Sequence, residues 1–161
     1  MESRQPDGHG RRRWPWVVLA GVVVLAGGVR LAAALAPPPA IGVVGGSLQD
    51  CPRRDNCVHS GSEHPRYAIA PLACPGDRLP EVVDVALAQL ERTRLVELTD
   101  GYAHLRSASP VWGFVDDLEL LAHDDEIEVR AAARLGRRDF DVNRERVEQL
   151  RHAVADAGIC P

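Results

Sequence analysis

The sequence predicts an α+β fold in which an N-terminal membrane helix is followed by a four-stranded antiparallel meander flanked by two helices on one face. An apolar run fills residues 14–36, strand-like pairs occupy 94–107 and 114–134, and helical periodicity appears at 80–92 and again from Asn143. The order helix, four strands, helix, joined by short connections, is typical of an antiparallel sheet that is packed by helices on one side.

The N-terminal apolar run has the features of a membrane anchor. Three arginines at 11–13 precede it, Arg30 alone interrupts it, and the 23 residues from Trp14 to Ala36 suffice to cross a hydrocarbon core that needs about 20 helical residues. The arginines predict that residues 1–13 form a cytoplasmic basic tail. Everything after Ala36 is then expected outside the cytoplasm, in a single-pass protein of the cell membrane.

A cleaved signal peptide is the alternative interpretation of the same run. It shares the basic start, the apolar stretch and the small residues at 32–34. The three prolines at 37–39 argue against cleavage directly after Ala36, and no cysteine follows at the spacing of a lipid anchor. An uncleaved anchor is therefore preferred, and either interpretation exports the remaining chain.

Residues 37–47 are predicted to be a linker, with a stiff Pro-rich start and a flexible lead that contains Gly45 and Gly46. Residues 48–161 form the predicted exported domain. The chain contains 19 basic residues, all Arg, and 23 acidic residues, for a net charge of −4. Only two of the acidic residues precede residue 37, so the exported part is acidic, which argues against a nucleic-acid partner.

All four cysteines lie in the part predicted to be exported, where disulfides form. Four cysteines allow three pairings. Cys51 and Cys57 enclose a short loop of turn-forming residues, so a local bridge between them is geometrically reasonable. Cys74 is then expected to pair with Cys160, which would fix the C-terminus.

A zinc site is the alternative for the same region, with ligands drawn from Cys51, Cys57, His59, His64 and Cys74. The five-residue spacer between the first two cysteines is longer than the two to four residues usual in structural zinc sites. It also differs from the Cys-x-x-Cys spacing of redox enzymes. The disulfides are therefore favoured, and no metal or cofactor is predicted.

The domain's elements follow from periodicity and turn residues. An apolar stripe predicts the helix over 80–92, and Asp100-Gly101 predicts a tight turn between strands 94–99 and 102–107. A second hairpin is predicted from strands 114–121 and 127–134, because apolar and polar residues alternate in the last strand. The final helix is predicted from Asn143, with Asn143 or Asp141 capping its first turn.

The predicted hairpins bring charged residues together. Asp117 and Glu119 share one face of their strand, and Arg130 and Arg134 share one face of the next, so cross-strand ion pairs are expected. His104 and Arg106 alternate on the preceding hairpin and are expected to join them. The loop and helix that follow add the remaining candidates, so that the predicted ligand-binding set is Asp117, Glu119, Arg130, Arg134, Asp139, Asn143 and Arg144.

These residues also carry a family resemblance. The chain over about residues 48–157 resembles the bacterial and plastid family called domain of unknown function 1499, through motifs that occur in the same order and at nearly the same spacing. The motifs are Cys51-Pro52, Asn56-Cys57-Val58, Ser60, Asp116-Asp117, Glu119, Arg130, Arg134, Gly136, Asp139, Asn143-Arg144 and Arg146-Val147. The resemblance implies an exported or membrane-attached domain and assigns no activity.

The sequence departs from the family pattern in several places. Asp55 replaces a usual Pro, Ala131 and Ala133 replace usual Ser, and Asp141 replaces a usual Gly. The loss of two hydroxyls weakens any role for Ser beside the arginine pair. Cys74 and Cys160 are additions to the pattern, which favours treating them as an extra pair.

We expect the protein to be a non-enzymatic binding or interaction module of the cell envelope, with the membrane as one partner through residues 14–36 and an unknown envelope protein or small ligand as another. One alternative is a binder of a small anionic ligand, gripped bidentately by Arg130 and Arg134. A second is a hydrolase with Asp117 and Glu119 as paired carboxylates. A purely structural interpretation makes the same residues a solvated ion-pair network on an open sheet face.

Overall fold

A computed structural model describes residues 14–160, so the predicted basic tail, residues 1–13, lies outside the described residues. The helices are α1 (Trp14–Leu35), α2 (Leu79–Gln89) and α3 (Val142–Asp156), and a short 3₁₀ helix spans Gly76–Arg78. The strands are β1 (Val43–Val44), β2 (Ser47–Leu48), β3 (Cys57–His59), β4 (Thr93–Thr99), β5 (Tyr102–Ala108), β6 (Val115–Ala122) and β7 (Ile127–Ala133).

The main sheet is antiparallel and has the strand order β3-β7-β6-β5-β4. The predicted meander of β4 to β7 is confirmed, but the predicted count of four strands is wrong, because β3 pairs with β7 as a fifth strand. β3 contains only three residues, too few to show the alternation by which strands are predicted. It joins the sheet because Cys57, Val58 and His59 are in register with Ala132, Ala131 and Arg130.

One face of the sheet forms the apolar core. Inward-facing aliphatic residues of β5, β6 and β7 pack there together with the apolar stripes of α2 and α3, as the sequence predicts. The residues that build this core are Ala103, Leu105, Leu118, Leu120, Val129 and Ala131 from the strands and Val82, Val83, Ala86, Val147, Leu150 and Val154 from the helices.

The start of α3 differs from the prediction. Asp141 occupies the N-cap position in a left-handed conformation, with φ 65°, and its side chain makes no capping hydrogen bond. Asp139 caps the helix instead, since its Oδ2 accepts a hydrogen bond from the backbone N–H of Asn143 at 3.0 Å. The left-handed turn at Phe140 and Asp141 carries the capping carboxylate two residues upstream of the position that the sequence suggests.

The predicted flexible lead after the Pro-rich linker is instead a small ordered hairpin. β1 and β2 pair antiparallel, with Val44 opposite Ser47. Gly45 and Gly46 both have positive φ, 63° and 87°, and they form the two-residue turn that joins short antiparallel strands. We call residues 36–48 the strap, because they lie across the second face of the main sheet.

Both disulfides are present in the pairing that the sequence favours. Cys51 bonds to Cys57 with their Cα atoms 5.7 Å apart, and Cys74 bonds to Cys160 with Cα atoms 4.9 Å apart. The second bond ties the C-terminal end of the chain to the loop before α2. Since all four sulfurs are engaged in disulfides, the zinc alternative loses its thiolate ligands.

The helix α1 is long and apolar enough to cross a membrane, with a mean hydropathy of 2.2, as a membrane anchor or a signal sequence would be. Only 6% of the most apolar window is buried against the rest of the protein. This helix and the two disulfides indicate an exported or membrane-anchored protein.

We expect the two disulfides to contribute unequally to stability. The Cys74–Cys160 bond closes a sequence separation of 86 residues and the Cys51–Cys57 bond one of only 6. Chain-entropy arguments give about 4.6 kcal/mol for the long loop and about 2 kcal/mol for the short one. The paired variants C74A/C160A and C51A/C57A are compared by urea unfolding of the detergent-solubilised chain. Equal losses of unfolding free energy in the two variants would contradict the chain-entropy explanation.

Candidate functional site

Strand register places polar residues in rows across the second face of the sheet. One row crosses four strands and joins His104, Glu119, Arg130 and His59. The neighbouring row places Arg106 opposite Asp117. Alternate residues of a strand share a face. The register therefore places these charged residues on one face of the sheet, as predicted.

Asp117 is the centre of one ion-pair cluster and is 1% exposed. Arg134 binds it bidentately, with Nε donating to Oδ2 at 2.8 Å and Nη2 donating to Oδ1 at 2.7 Å. His104 Nε2 and Arg106 Nε also donate to Oδ1, at 2.8 and 3.3 Å. Burial raises the pKa of Asp117, but the hydrogen bonds from His104 and Arg134 outweigh it and lower the pKa to about 2.

Glu119 and Arg130 form a second ion pair, and both residues have no exposed surface. Arg130 Nη1 donates to Glu119 Oε2. Glu119 Oε1 accepts two further hydrogen bonds, from the Tyr102 hydroxyl at 3.0 Å and from the backbone N–H of Gly42 at 2.6 Å. Burial and the neighbouring Glu119 carboxylate raise the pKa of Tyr102, so the hydroxyl remains a donor.

Glu128 connects the sheet to the strap. Its Oε1 accepts hydrogen bonds from His59 Nε2 at 2.7 Å, from Ser47 Oγ at 2.6 Å and from the Leu48 backbone N–H at 3.1 Å. Its Oε2 accepts one from His123 Nε2 at 3.0 Å. Burial raises the pKa of Glu128, and these hydrogen bonds outweigh burial and lower it.

The charged face is therefore covered and not open. The strap lies over it and donates backbone hydrogen bonds to Glu119 and Glu128. It also accepts one at the end of α1, where Arg134 Nη1 donates to the Ala36 carbonyl at 3.2 Å. The structural interpretation of an open, solvated network is corrected in this respect, because its central residues are buried under residues that the sequence predicts to be a linker.

A cavity remains beside the network, between the strap and the sheet. Its volume is about 380 Å³, and it is lined by Pro37, Pro38, Pro39, Ala40, Asp50, Pro52, Arg54, Arg130, Ala133 and Arg134. Arg130 Nε and Nη2 are buried and have no hydrogen-bond partner within the described part of the chain. These two N–H groups share one edge of the planar guanidinium, the edge that binds a carboxylate or phosphate bidentately.

The comparisons with known proteins give one match. Residues 47–154 match a family described as Protein of unknown function (DUF1499). The chain belongs to the DUF1499 family. The resemblance inferred from the motifs is thereby confirmed. No curated protein and no solved structure matches the chain.

The matched DUF1499 region contains the Asp117 cluster and the Glu119–Arg130 ion pair. In the structure, the predicted site residues of this region fall into two groups. Asp117, Glu119, Arg130 and Arg134 come together under the strap. Asp139 and Asn143 lie instead at the start of α3, where the Asp139 carboxylate also accepts a hydrogen bond from Asn143 Nδ2 at 2.8 Å. This second group fixes the helix start to the sheet edge, since Asn143 Nδ2 also donates to the Asn56 carbonyl at 3.3 Å.

Arg144 is separate from the buried network of this DUF1499 domain. Its Nη2 donates to the Arg66 carbonyl at 3.4 Å. It lines a cavity of about 50 Å³ together with Asp55, Asp139 and Asp141. Arg146, two residues further along α3, binds to Asp116, with Nη2 donating to Oδ2 at 2.9 Å.

Sequence reasoning missed the Glu128 group of this DUF1499 domain. His59 belongs to a strand too short to recognise. Ser47 is the last residue of the predicted linker, and Leu48 is the first residue of the predicted domain. One signal was present in the sequence. Glu128 alternates with Arg130 in a predicted strand and therefore shares its face.

We expect acidification to destabilise this DUF1499 domain through Asp117. Its folded-state pKa of about 2 lies below the ordinary value of 3.8. The carboxylate therefore stabilises the fold above about pH 4, and about 2 kcal/mol is lost as the pH falls toward 2. The free energy of unfolding, measured from pH 5 to pH 2, should fall less steeply in Asp117→Asn than in the unchanged protein.

Asp116→Asn is the matched control for this measurement. Asp116 is the preceding residue, and burial raises its pKa despite the ion pair with Arg146. A raised folded-state pKa makes stability decline as the pH rises, the opposite sign. The control should therefore retain the acid-dependent loss. An unchanged acid slope in Asp117→Asn would contradict the assignment.

Proposed function

We propose that this protein is a membrane-anchored, non-enzymatic module of the cell envelope whose exported domain binds a small anion, with a carboxylate or phosphate group, in the cavity beside Arg130. The observation that carries the proposal is the unpartnered guanidinium edge of Arg130. Arg130 has no exposed surface, and its Nε and Nη2 lack an acceptor within residues 14–160. A buried charged donor without a partner costs more than a neutral one, so an acceptor is expected there.

The chemistry of this edge favours an oxyanion. Arginine keeps its charge when buried and presents two parallel N–H groups in a fixed plane. Arg134 already uses the same edge to bind the Asp117 carboxylate through Nε and Nη2. The neighbouring arginine thus supplies, within the same network, an example of the geometry that a ligand carboxylate or phosphate would adopt on Arg130.

The remaining charges of the cavity support a ligand with one anionic group. Arg54 adds a third cation to its wall, and Asp50 adds a carboxylate. Arg130 is paired with Glu119, and Arg134 with Asp117, so the surplus positive charge is small. Recognition by hydrogen-bond geometry at Arg130 therefore matters more here than long-range attraction.

The strap controls access to Arg130. Because Arg130 is fully covered, a ligand reaches its free edge when residues 37–40 move aside. Three of these residues are prolines, which have no backbone N–H with which to bind the sheet. The segment is held at one end by the Arg134 to Ala36 hydrogen bond and at the other by the Gly42 to Glu119 hydrogen bond.

Hydrolysis by paired carboxylates receives less support. A general acid needs a pKa near the working pH, and the pKa of Asp117 is about 2. Glu119 is buried and accepts hydrogen bonds from Arg130, Tyr102 and Gly42. Neither carboxylate is among the residues that line the cavity.

The matched pair Arg54→Ala and Arg53→Ala tests the anion site without disturbing the buried network. Both arginines are exposed neighbours, but Arg54 lines the cavity and Arg53 does not. Inorganic phosphate and acetate are titrated separately into the detergent-solubilised chain, and binding is followed by calorimetry and by the Nε–H NMR resonance of Arg130. We expect saturable shifts of that resonance, weaker binding in Arg54→Ala, and unchanged binding in Arg53→Ala.

The double variant E119Q/R130M tests the anchor of the site while keeping the buried charge balanced. Loss of two charge-assisted hydrogen bonds should weaken binding by about tenfold or more. Urea unfolding verifies that the variant is folded. Saturable anion binding with unchanged affinity in the folded double variant would contradict the proposal, as would an Arg130 resonance that neither anion shifts.

The proposed location rests on α1 remaining attached. Its 22 residues span about 33 Å as a helix, close to the thickness of the hydrocarbon core of about 30 Å. We expect the protein to stay in the membrane pellet after carbonate extraction, with residues 14–35 detected by intact mass. Release into the supernatant as a shortened chain would establish the signal-peptide alternative.

A further inference from the structure

A group of exposed apolar residues lies at one end of the main sheet. They belong to the β5–β6 loop and to the β7–α3 loop, with one residue at the start of α3. We call them the aromatic rim: Val111, Trp112, Phe114, Leu135, Phe140 and Val142. Four of them line one largely apolar cavity of about 240 Å³, which shows that the two loops lie side by side.

The rim contains every Trp and Phe that follows the α1 helix. Trp112, Phe114 and Phe140 are the only such residues after residue 36, and they are 44%, 39% and 86% exposed. Among the described residues, the core cluster contains aliphatic side chains and the disulfide-bonded Cys74 and Cys160, and no aromatic residue. Large aromatic side chains normally supply core packing, so their collection on one exposed end indicates a surface that contacts an apolar phase.

The loop that presents Phe140 holds this side chain in an exposed position. Phe140 and Asp141 both have positive φ, 55° and 65°, a conformation that non-glycine residues adopt at a cost. The Asp139 carboxylate fixes the turn by accepting two hydrogen bonds from Asn143. The most exposed aromatic residue is thus carried on an ordered turn.

The rim lies at the end of the sheet where the chain leaves α1. The carbonyl of Ala36, the residue after α1, accepts a hydrogen bond from Arg134, and Leu135 of the rim follows directly. Ala133 lines both the cavity under Pro37–Pro39 and the rim cavity. The rim is therefore continuous with the point at which the proposed anchor leaves the bilayer.

We propose that the aromatic rim docks the exported domain on the surface of the bilayer that α1 crosses, with its aromatic side chains at the level of the lipid headgroups. Trp and other amphipathic aromatic residues prefer this interface. Arg137 and Arg138 adjoin the rim and are exposed, so they face headgroup phosphates in this arrangement. The inference rests on the proposed anchor and is independent of the anion site.

Trp112 provides the probe for this contact. The variant W14F/W16F leaves it as the sole Trp of the chain. The full chain is reconstituted in phosphatidylcholine nanodiscs, with and without lipid brominated near the headgroup. We expect a blue-shifted Trp112 emission, quenching by the brominated lipid, and protection from acrylamide in the aqueous phase.

Phe140→Ser and Leu98→Ser, each in the W14F/W16F background, form the matched pair. Leu98 is 43% exposed on β4, where it pairs with Ala103 at the end of the sheet opposite to the rim. In Phe140→Ser, the Trp112 fluorescence should be quenched less by the brominated lipid and more by acrylamide. In Leu98→Ser, neither kind of quenching should change.

Two results would overturn the proposal. In the first, Trp112 is quenched by acrylamide and unaffected by brominated lipid, which would mean that it faces water. In the second, Trp112 is protected from both quenchers, which would mean that it is covered by protein, such as a second copy of the chain. The anchor is tested separately on the same sample, because reconstitution into nanodiscs and resistance to carbonate extraction depend on α1 and not on the rim.

Discussion

The ion pair between Arg130 and Glu119 is the constraint on which the second face of the sheet depends. Both side chains have no exposed surface, and each would be strongly unfavourable if the other were removed. The ion pair alone does not complete the hydrogen bonding of either side chain. Glu119 needs Tyr102 and Gly42 to complete its hydrogen bonds, so burying this charge requires a covering segment that supplies a backbone N–H.

The two faces of the sheet are consequently covered by different physical means. On one face, α2 and α3 bury aliphatic side chains without directional bonds. On the other, the strap is held by hydrogen bonds to Glu119 and Glu128 and by Arg134. Since the strap follows α1 directly, the buried charges hold the segment after α1 against the sheet. A segment that composition suggests is a spacer is in fact a part of the domain.

The sequence predicts those parts of the fold that periodicity determines. The alternation in β7 and the turn at Asp100-Gly101 lead to the meander, and they place Asp117, Glu119, Arg130 and Arg134 on one face. The strap could not be predicted, because its hydrogen bonds to Glu119 and Glu128 include backbone N–H donors, which every residue type except proline provides. The Gly45-Gly46 pair is compatible with flexibility and with a tight turn, and only pairing across the turn distinguishes them. Capping by Asp139 depends on two left-handed residues that are not glycine.

The proposed anchor, the proposed anion site and the rim meet around a few consecutive residues of β7 and the loop that follows. Arg130 supplies the free guanidinium edge, Arg134 binds both Asp117 and the carbonyl of Ala36, and Leu135 begins the rim. In the proposed function, a ligand at Arg130 displaces the proline segment, which follows directly after α1. The two proposals together imply that occupancy of the anion site is coupled, through covalent connection and the Arg134 to Ala36 hydrogen bond, to the docking of the domain on the membrane.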